Sequence, residues 1–272
     1  MAMRIKFYCR SFNKELYLLS RGLYEQAGYP CVRLTDQTAD GYFFRMLEDE
    51  TCDIAINVDE DCFIADLDAV LALARRVEEE GWVNAGCSDA GPGVPRKGDP
   101  EVTNPFFNVF NLREIRKEWN TGQLIPTLRK DSHRGLEPYY NYFHWLVQTF
   151  PGRTLYLDNC RHADGITTQL FASGVDAESQ GALLCCHTWF ARLFRIGLLT
   201  RLFEGNDRKD MDHSLRINRI IDEVYALRQV RRPSFSVTER LGFRLDESVR
   251  WCIKVPQRIA GWPRKISKRL NK

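Results

Sequence analysis

The sequence predicts an α/β fold with a mainly parallel central sheet. Strand-like segments alternate with amphipathic segments through the first 90 residues, and the segment DIAINV (53–58) is almost wholly apolar. A strand that is covered by helices on both faces has this composition, whereas a strand with one solvated face alternates apolar and polar residues. At 272 residues, 44% of them hydrophobic, the chain is long enough to bury a substantial core.

The first half of the chain supplies the elements of this sheet in order. Residues 4–12 are rich in aromatic and branched side chains and predict a strand, and residues 13–28 predict a helix that begins at an Asn13 N-cap and ends at Gly28. Further patterns of the same two kinds predict a strand over 31–35, a helix over 41–50, a strand over 53–58, a helix over 66–81 and a strand over 83–87.

The second half is less regular. Residues 88–113 are rich in Gly and Pro, which predicts a long loop that returns into an apolar piece. Beyond the loop we expect a helix over 136–150, a strand over 153–158, a short helical turn at TTQLFA (167–172), an extended segment leading into a helix over 181–194, and a helix over 207–230. We place a main domain over residues 1–204 and a helical, basic C-terminal extension over 205–272.

The net charge of +3 hides an asymmetry between the two ends of the chain. Residues 228–272 carry 13 Lys or Arg against 3 Asp or Glu, so the preceding 227 residues carry 26 against 33. Within residues 250–272, Trp and aliphatic side chains stand among the basic residues, a composition that suits an anionic membrane surface as well as a solvated tail. The excess of acidic residues over positions 1–227 and the lack of a nucleic-acid-binding motif argue against nucleic acid as a partner.

Several other classes of protein are disfavoured. The sequence has no apolar run of about 18 residues and no apolar signal-peptide core, so we expect a cytoplasmic protein, at most peripheral on the inner face of the membrane. Nine cysteines without a C-x-x-C pair indicate reduced thiols. No P-loop, G-x-G-x-x-G or nucleophilic triad signature is present.

Three consecutive acids, Asp59, Glu60 and Asp61, follow the apolar segment 53–58. Ligands bind at the carboxyl ends of strands in parallel α/β sheets, and this triplet lies at such an end. If the chain is extended there, Asp59 and Asp61 point to the same side, and two converging carboxylates suit a hard divalent ion such as Mg²⁺ or Mn²⁺. The alternative is a solvated turn whose acids cap the next helix.

The leading strand, the Asn-capped helix and the segment INVDEDCFI (56–64) together resemble the GT-A glycosyltransferases. The resemblance extends over residues 4–195, since GALLCCHTWFARLF (181–194) resembles a closing segment in which a histidine provides a further metal ligand. It implies a Rossmann-like α/β/α sandwich over residues 1–204, binding of Mn²⁺ or Mg²⁺ together with a nucleotide-diphosphate sugar, and sugar transfer to a glycan or lipid-linked acceptor, as in polysaccharide biosynthesis. The nucleotide and the sugar stay open.

The resemblance implies a metal site built by three side chains. Asp61 would be the principal ligand, Asp59 would hold the metal or the ribose directly or through water, and His187 would complete the ligand set. An imidazole ligand favours Mn²⁺ over Mg²⁺. Arg10, at the end of the first predicted strand, is a candidate for binding the donor phosphates.

Five further residues are candidates for catalysis or substrate binding. Inverting transfer, which is favoured over the retaining alternative, needs a carboxylate to take the proton of the attacking hydroxyl. Glu137, at the start of the predicted helix 136–150, is the candidate base, and Asp164 is a weaker rival. Asp89, Asn104 and Asn108 are candidates for hydrogen bonding to sugar hydroxyls.

Two alternatives to a glycosyltransferase remain. A metal-dependent nucleotidyltransferase or phosphotransferase also uses paired acids with metal ions, but it releases pyrophosphate or a phosphorylated product instead of a nucleoside diphosphate. A degenerate carbohydrate-binding module would show no metal-dependent binding of a donor.

Overall fold

The computed structural model describes residues 3–35, 41–96, 98–119, 140–173, 181–191, 194 and 208–245. Within them, the strands are β1 (Ile5–Arg10), β2 (Cys31–Leu34), β3 (Ile54–Val58), β4 (Cys62–Ile64), β5 (Asn84–Ser88), β6 (Thr103–Asn111), β7 (Thr154–Arg161), β8 (Thr168–Phe171) and β9 (Leu183–His187). The helices are α1 (Lys14–Arg21), α2 (Gly41–Glu48), α3 (Leu67–Glu79), α4 (Leu112–Glu118), α5 (Tyr140–Thr149), α6 (Arg208–Arg228) and a further one over residues 237–245.

The nine strands form one sheet in the order β2-β1-β3-β6-β5-β7-β8-β9-β4. Pairs β1–β2, β1–β3 and β5–β7 are parallel, and the remaining five pairs in the described part of the chain are antiparallel. The α/β class is confirmed, but the sheet is mixed and the prediction of a mainly parallel sheet is not confirmed.

Two misread segments account for four of the five antiparallel pairs, and the fifth joins β9 to β4, a strand that the sequence did not predict. Residues 103–111, expected in or at the end of a loop, form the long strand β6, which runs antiparallel to both β3 and β5. Residues 168–171, expected as a helical turn, form β8 and pair antiparallel with β7 and β9. Both segments are buried by neighbouring strands, and this tertiary burial outweighs the local Pro, Asn and Gln signals.

The helix boundaries are set by local hydrogen bonds. The Asn13 side chain caps α1 by accepting a hydrogen bond from Leu16 N at 3.0 Å, as predicted. The helix ends at Arg21, seven residues before the predicted stop, and a 3₁₀ turn (Glu25–Ala27) carries the chain to Gly28, whose φ of 74° favours glycine. Asp66 caps α3 in the same manner through Ala69 N.

Strands β3 and β4 impose a curl on the sheet. They are joined by only three residues, yet they lie six positions apart in the strand order. Adjacent strands are about 4.8 Å apart, so six steps across a flat sheet would measure about 29 Å. Four Cα–Cα steps reach at most about 15 Å. The sheet must therefore curve until β4, at its far edge, approaches the end of β3.

Two hydrophobic clusters cover the two faces of the sheet. In the first cluster, helices α1, α3 and α6 pack against one face of the sheet, on strand residues such as Ile54 and Ile56. In the second cluster, helices α2, α4 and α5 pack against the opposite face, on strand residues such as Ala55. This arrangement is compatible with the expected α/β/α sandwich. The described cysteines are all free, and most are buried.

Helix α6 contributes to the first cluster through five residues that are at most 3% exposed, namely Ile217, Ile220, Ile221, Val224 and Tyr225. The Tyr225 hydroxyl also donates to Leu19 O of α1 at 2.6 Å. The predicted extension thus packs on the main body as far as α6, and the boundary at residue 204 stays a prediction. The basic segment 250–272 lies outside the described residues. None of the helices described is long and apolar enough to span a bilayer.

Arg116 of α4 holds the end of α2 in place. Its guanidinium donates to four backbone carbonyls, those of Met46, Leu47, Asp49 and Cys52, at 2.7 to 3.1 Å. Helices end with carbonyls that have no intrahelical partner, and a single fork of five donors satisfies several of them here.

We expect Arg116→Met to lower the free energy of unfolding by about 2–4 kcal/mol, since the charged hydrogen bonds to these backbone carbonyls are lost. Urea denaturation measures the change. Arg45→Met is the control, because Arg45 makes an exposed ion pair with Glu48 and its loss should cost no more than about 0.5 kcal/mol. Equal effects of the two substitutions would contradict this role of Arg116.

Candidate metal centre

The acidic triplet forms the turn between β3 and β4. Asp59 N donates to Phe106 O at 2.8 Å, which extends the β3–β6 ladder, and Cys62 N donates to Asp59 O at 3.0 Å, which closes a β-turn. The chain is therefore turned where the sequence interpretation assumed it extended. The carboxylates of Asp59 and Asp61 still converge, but the cause is the turn instead of strand alternation.

Pairing of β4 with β9 brings His187 to this turn. Cys62 lies opposite His187 in the antiparallel register, although 125 residues separate them in the chain. Thr188 then donates twice to the Asp61 carbonyl oxygen, from its N at 2.9 Å and from its Oγ1 at 3.1 Å. The backbone thus fixes Asp61 and His187 relative to each other.

Asp59, Asp61 and His187 form a group with the spacing of a metal site. One potential ligand atom from each lies within 4.8 Å of the other two, and the residues are only 7%, 5% and 4% exposed. His187 Nε2 lies 3.2 Å from Asp61 Oδ1. Two ligands about 2.1 Å from an octahedral ion and 90° apart would lie about 3.0 Å from each other, so this separation fits adjacent coordination positions.

Unsatisfied polar atoms support a cation at this position. Within the described residues, Asp59 Oδ1 and His187 Nδ1 are buried and have no hydrogen-bond partner. A buried carboxylate oxygen without a partner is costly, and such atoms call for an explanation in a folded protein. A divalent cation bound between the two carboxylates would satisfy the Asp59 oxygen and offset the repulsion between the acids. The donor set therefore fits a metal ion.

Arg10 is the other charged partner of the cluster. Its guanidinium donates to Asp59 Oδ2 at 2.8 Å and lies over the Tyr42 ring. Burial raises the pKa of Asp59, and the neighbouring Asp61 raises it further, against the opposing effect of Arg10. Burial would also raise the pKa of Asp61, but the interaction with His187 outweighs it and holds that pKa below its ordinary value.

Glu60 faces a different partner from its two neighbours. Its Oε2 accepts from the backbone N–H groups of Phe12 and Asn13 at 2.8 and 2.6 Å, directly before α1. Burial raises the pKa of Glu60 to about 8, although these hydrogen bonds act in the opposite direction. Glu60 therefore ties the turn to the start of α1.

Aromatic side chains enclose the His187 ring. Phe106 stacks on it with the ring centroids 4.3 Å apart and an angle of 11° between the planes, and Trp189 lies 4.3 Å away on a tilted plane. Trp189 in turn has the Arg96 guanidinium over its ring at 5.6 Å and donates from Nε1 to Thr168 Oγ1 at 2.8 Å. These contacts restrict the imidazole to one orientation.

The three residues proposed for sugar binding form a buried network. Asp89 accepts hydrogen bonds from Arg96 Nη2 at 3.1 Å and from Asn104 Nδ2. Asn108 donates from Nδ2 to Asn104 O at 2.8 Å and accepts from Thr103 Oγ1 at 2.7 Å. Asp89, Asn104 and Asn108 are at most 2% exposed, so their side chains serve the packing of β5 against β6. A role in sugar binding stays a prediction.

The two candidate bases have different outcomes. Glu137 lies outside the described residues. Asp164 lies in the turn between β7 and β8, where it accepts from Ile166 N at 2.9 Å, from Thr167 N at 2.8 Å and from Thr167 Oγ1 at 2.6 Å, and it pairs with Arg216 Nη1 at 3.3 Å. Burial acts to raise the pKa of Asp164, but these hydrogen bonds prevail and lower it to about 2.

The backbone conformation of the residues that follow His187 was not predicted from the sequence. Trp189 and Phe190 both have positive φ, 58° and 61°, which costs a non-glycine residue on the order of 1–3 kcal/mol. Arg216 of α6 holds this turn through the carbonyls of Thr188 and Trp189. No sequence signal marks either feature, since both residues with positive φ are bulky aromatics and Arg216 lies in an ordinary amphipathic helix.

Comparisons with known proteins leave the family open. No family model and no curated protein matches this sequence. Among solved structures, the chain is similar to A197 from STIV (13% identity, 63% of this chain and 87% of that chain, TM-score 0.42). It is also similar to a glycosyltransferase involved in glycosylation of the major capsid of PBCV-1 (14% identity, 57% of this chain and 81% of that chain, TM-score 0.40). A third similar structure is the glycosyltransferase GlyE of Streptococcus pneumoniae TIGR4 (13% identity, 87% of this chain and 66% of that chain, TM-score 0.40). TM-scores below 0.5 indicate only a distant similarity of fold, which assigns no function to this protein.

We expect Mn²⁺ to raise the melting temperature of this protein. Binding to the folded state alone adds about 2.7 kcal/mol of stability when the metal is present at 100 times its Kd. Asp61→Asn should abolish the shift, because it removes one ligand charge with little change in shape. Differential scanning fluorimetry with and without EDTA measures it.

The matched control is Asp68→Asn, an exposed acid in the first turn of α3. It should retain the full shift with Mn²⁺. A shift that is equal in the wild type and in Asp61→Asn would show that Mn²⁺ binds elsewhere.

Proposed function

We propose that this protein is a metal-dependent glycosyltransferase that moves a sugar from a nucleotide-diphosphate sugar to a glycan or lipid-linked acceptor. One observation carries the proposal: Asp59, Asp61 and His187 converge in a buried group in which an Asp59 oxygen has no partner within the described residues. This donor set is suited to a divalent cation, and the sequence around both halves of the set resembles GT-A enzymes.

Two carboxylates and one imidazole favour Mn²⁺, because carboxylate oxygens suit hard cations and the nitrogen donor shifts the preference away from Mg²⁺. When bound, the ion would supply Lewis-acid binding of the donor diphosphate and neutralise the charge that develops on the leaving nucleoside diphosphate. Asp59, Asp61 and His187 would hold the ion, and a six-coordinate ion held by three side chains would keep positions for phosphate oxygens.

The side chains around the ligands have supporting roles in this proposal. Arg10 is held against Asp59, so its guanidinium adds positive charge beside the cluster, and its planar fork of donors suits phosphate oxygens. Phe106 and Trp189 exclude water from one side of His187 and keep its ring in place. Arg10 would thus help to orient the donor, and Phe106 and Trp189 keep His187 in position. The reaction needs a further group to take the acceptor's proton.

Glu137 and Asp164 are the two candidates for accepting this proton. A general base works best with a pKa near the operating pH, and the pKa of about 2 for Asp164 makes it a poor one. Its four hydrogen-bonding partners also leave it committed to the β7–β8 turn. Glu137 stays the proposed base for an inverting reaction.

Isothermal titration calorimetry with UDP, GDP, CMP and dTDP donors, each with and without Mn²⁺, tests the function. We expect one nucleotide class to bind only with Mn²⁺, and binding to weaken at least 100-fold in Asp61→Asn, since the donor is held through the ion. The control Asp68→Asn should bind like the wild type.

The products distinguish the alternatives. Release of a nucleoside diphosphate in the presence of an acceptor supports glycosyl transfer. Release of pyrophosphate from a nucleoside triphosphate that is supplied with a sugar phosphate would identify a nucleotidyltransferase. Absence of metal-dependent binding for every donor, with Mn²⁺ itself bound, would contradict the proposed donor class.

We also propose that the C-terminal part of the chain attaches the protein to an anionic membrane surface. The helix over residues 237–245 faces the main body with Arg240, which pairs with Glu15 at 3.1 Å, and with Phe243, which contacts the Phe235 ring edge-to-face. On its other side Val237, Leu241 and Leu245, at i, i+4 and i+8, are 60%, 42% and 67% exposed. An exposed apolar stripe within a strongly basic region suits an anionic bilayer.

Sedimentation with phosphatidylcholine vesicles that contain phosphatidylglycerol tests this attachment. Replacing Val237, Leu241 and Leu245 together by Ser should weaken vesicle binding roughly tenfold or more, because binding gains free energy in proportion to the apolar area that leaves water. Leu215→Ser is the control, an equally exposed leucine on α6. The proposal would be overturned if the triple substitution left vesicle binding unchanged. It would also be overturned if the wild type bound pure phosphatidylcholine vesicles equally well.

A further inference from the structure

We propose that Arg216, on α6, is a positioning residue of the metal centre, and that Asp164 acts through it. The inference rests on the proposed metal site. It makes α6, which the sequence placed in a C-terminal extension, a structural part of that site.

Arg216 holds the turn that follows His187. Its Nη2 donates to Thr188 O at 2.6 Å and to Trp189 O at 3.3 Å. The two residues after Thr188, Trp189 and Phe190, have φ values of 58° and 61°. Bulky residues rarely adopt this conformation without an external constraint. The two hydrogen bonds from Arg216 supply such a constraint at the first residue after the metal ligand.

Thr188 connects Arg216 to both Asp61 and His187. On one side its N and Oγ1 donate to Asp61 O, and on the other side its own carbonyl accepts from Arg216. Thr188 is fully buried and directly follows His187. A shift of Thr188 would therefore move His187 and Asp61 relative to each other.

Asp164 and Thr167 complete the surroundings of Arg216. Its Nη1 donates to Thr167 Oγ1 at 2.9 Å and lies 3.3 Å from Asp164 Oδ2, and Thr167 Oγ1 itself donates to Asp164. The Arg216 side chain is only 11% exposed, and a cation at this depth is stable when paired and hydrogen bonded. Asp164 is thus the counter-ion of a positioning residue, which gives it a use other than proton transfer.

The geometry requires a guanidinium. The two terminal nitrogens of Arg216 donate to two different turns. Nη2 donates to the turn after β9, and Nη1 donates to the turn between β7 and β8. A lysine retains the charge, but its single nitrogen cannot span both sets of acceptors in the same way. Arg216→Lys therefore separates the positioning role from the charge.

Titration of Mn²⁺ by electron paramagnetic resonance on the full chain tests the proposal. Variants Arg216→Lys and Arg216→Gln should bind Mn²⁺ about 10–100-fold more weakly than the wild type, the usual loss when a residue that orients metal ligands is replaced. Arg219→Gln is the matched control, an exposed arginine one turn along α6, and should bind within about twofold of the wild type. Circular dichroism of each variant establishes that it is folded.

The outcomes separate this proposal from the function on which it rests. Wild-type protein that fails to bind Mn²⁺ would remove the metal centre and the inference together. Binding by the wild type with equal affinity in folded Arg216→Lys would overturn only the role of Arg216. Should both Arg216 variants fail to fold, Asp164→Asn decides, since it loosens Arg216 while keeping the shape of the turn, and unchanged affinity there would overturn the proposal.

Discussion

The short connection between β3 and β4 is the constraint on which the rest of the structure depends. Three residues must join strands that lie six positions apart in the sheet, so the sheet curves and its far edge meets the end of β3. Those three residues are all acids and all buried. The closure of the sheet therefore concentrates negative charge at one enclosed point, and the neighbouring elements are arranged around that charge.

Each acid of the triplet has a different compensating partner. Asp59 pairs with Arg10 from β1, Glu60 accepts from two backbone amides before α1, and Asp61 lies against His187 from β9. The compensation is incomplete, since one Asp59 oxygen has no partner within the described residues. Proteins tolerate such local costs at functional sites, where a ligand completes the interactions.

The antiparallel half of the sheet gives the site its second side. Strands β8 and β9 place His187 opposite Cys62, and the turn after β9 is held by α6 from outside the sheet. Elements from the beginning, middle and end of the chain thus converge on one cluster. The positions of Asp59, Asp61 and His187 therefore depend on packing that more distant residues contribute.

Sequence alone is enough to predict the α/β class, the Asn13 cap, the buried strand β3 and the grouping of Asp59, Asp61 and His187. These follow from local composition, capping chemistry and the resemblance around residues 56–64 and 181–194. The mixed sheet, the turn at Asp59 and the contacts of Arg216 depend on the tertiary structure. Strand direction, positive φ at Trp189 and long-range hydrogen bonds arise from contacts between distant segments, and such contacts leave no periodic or compositional trace in one sequence.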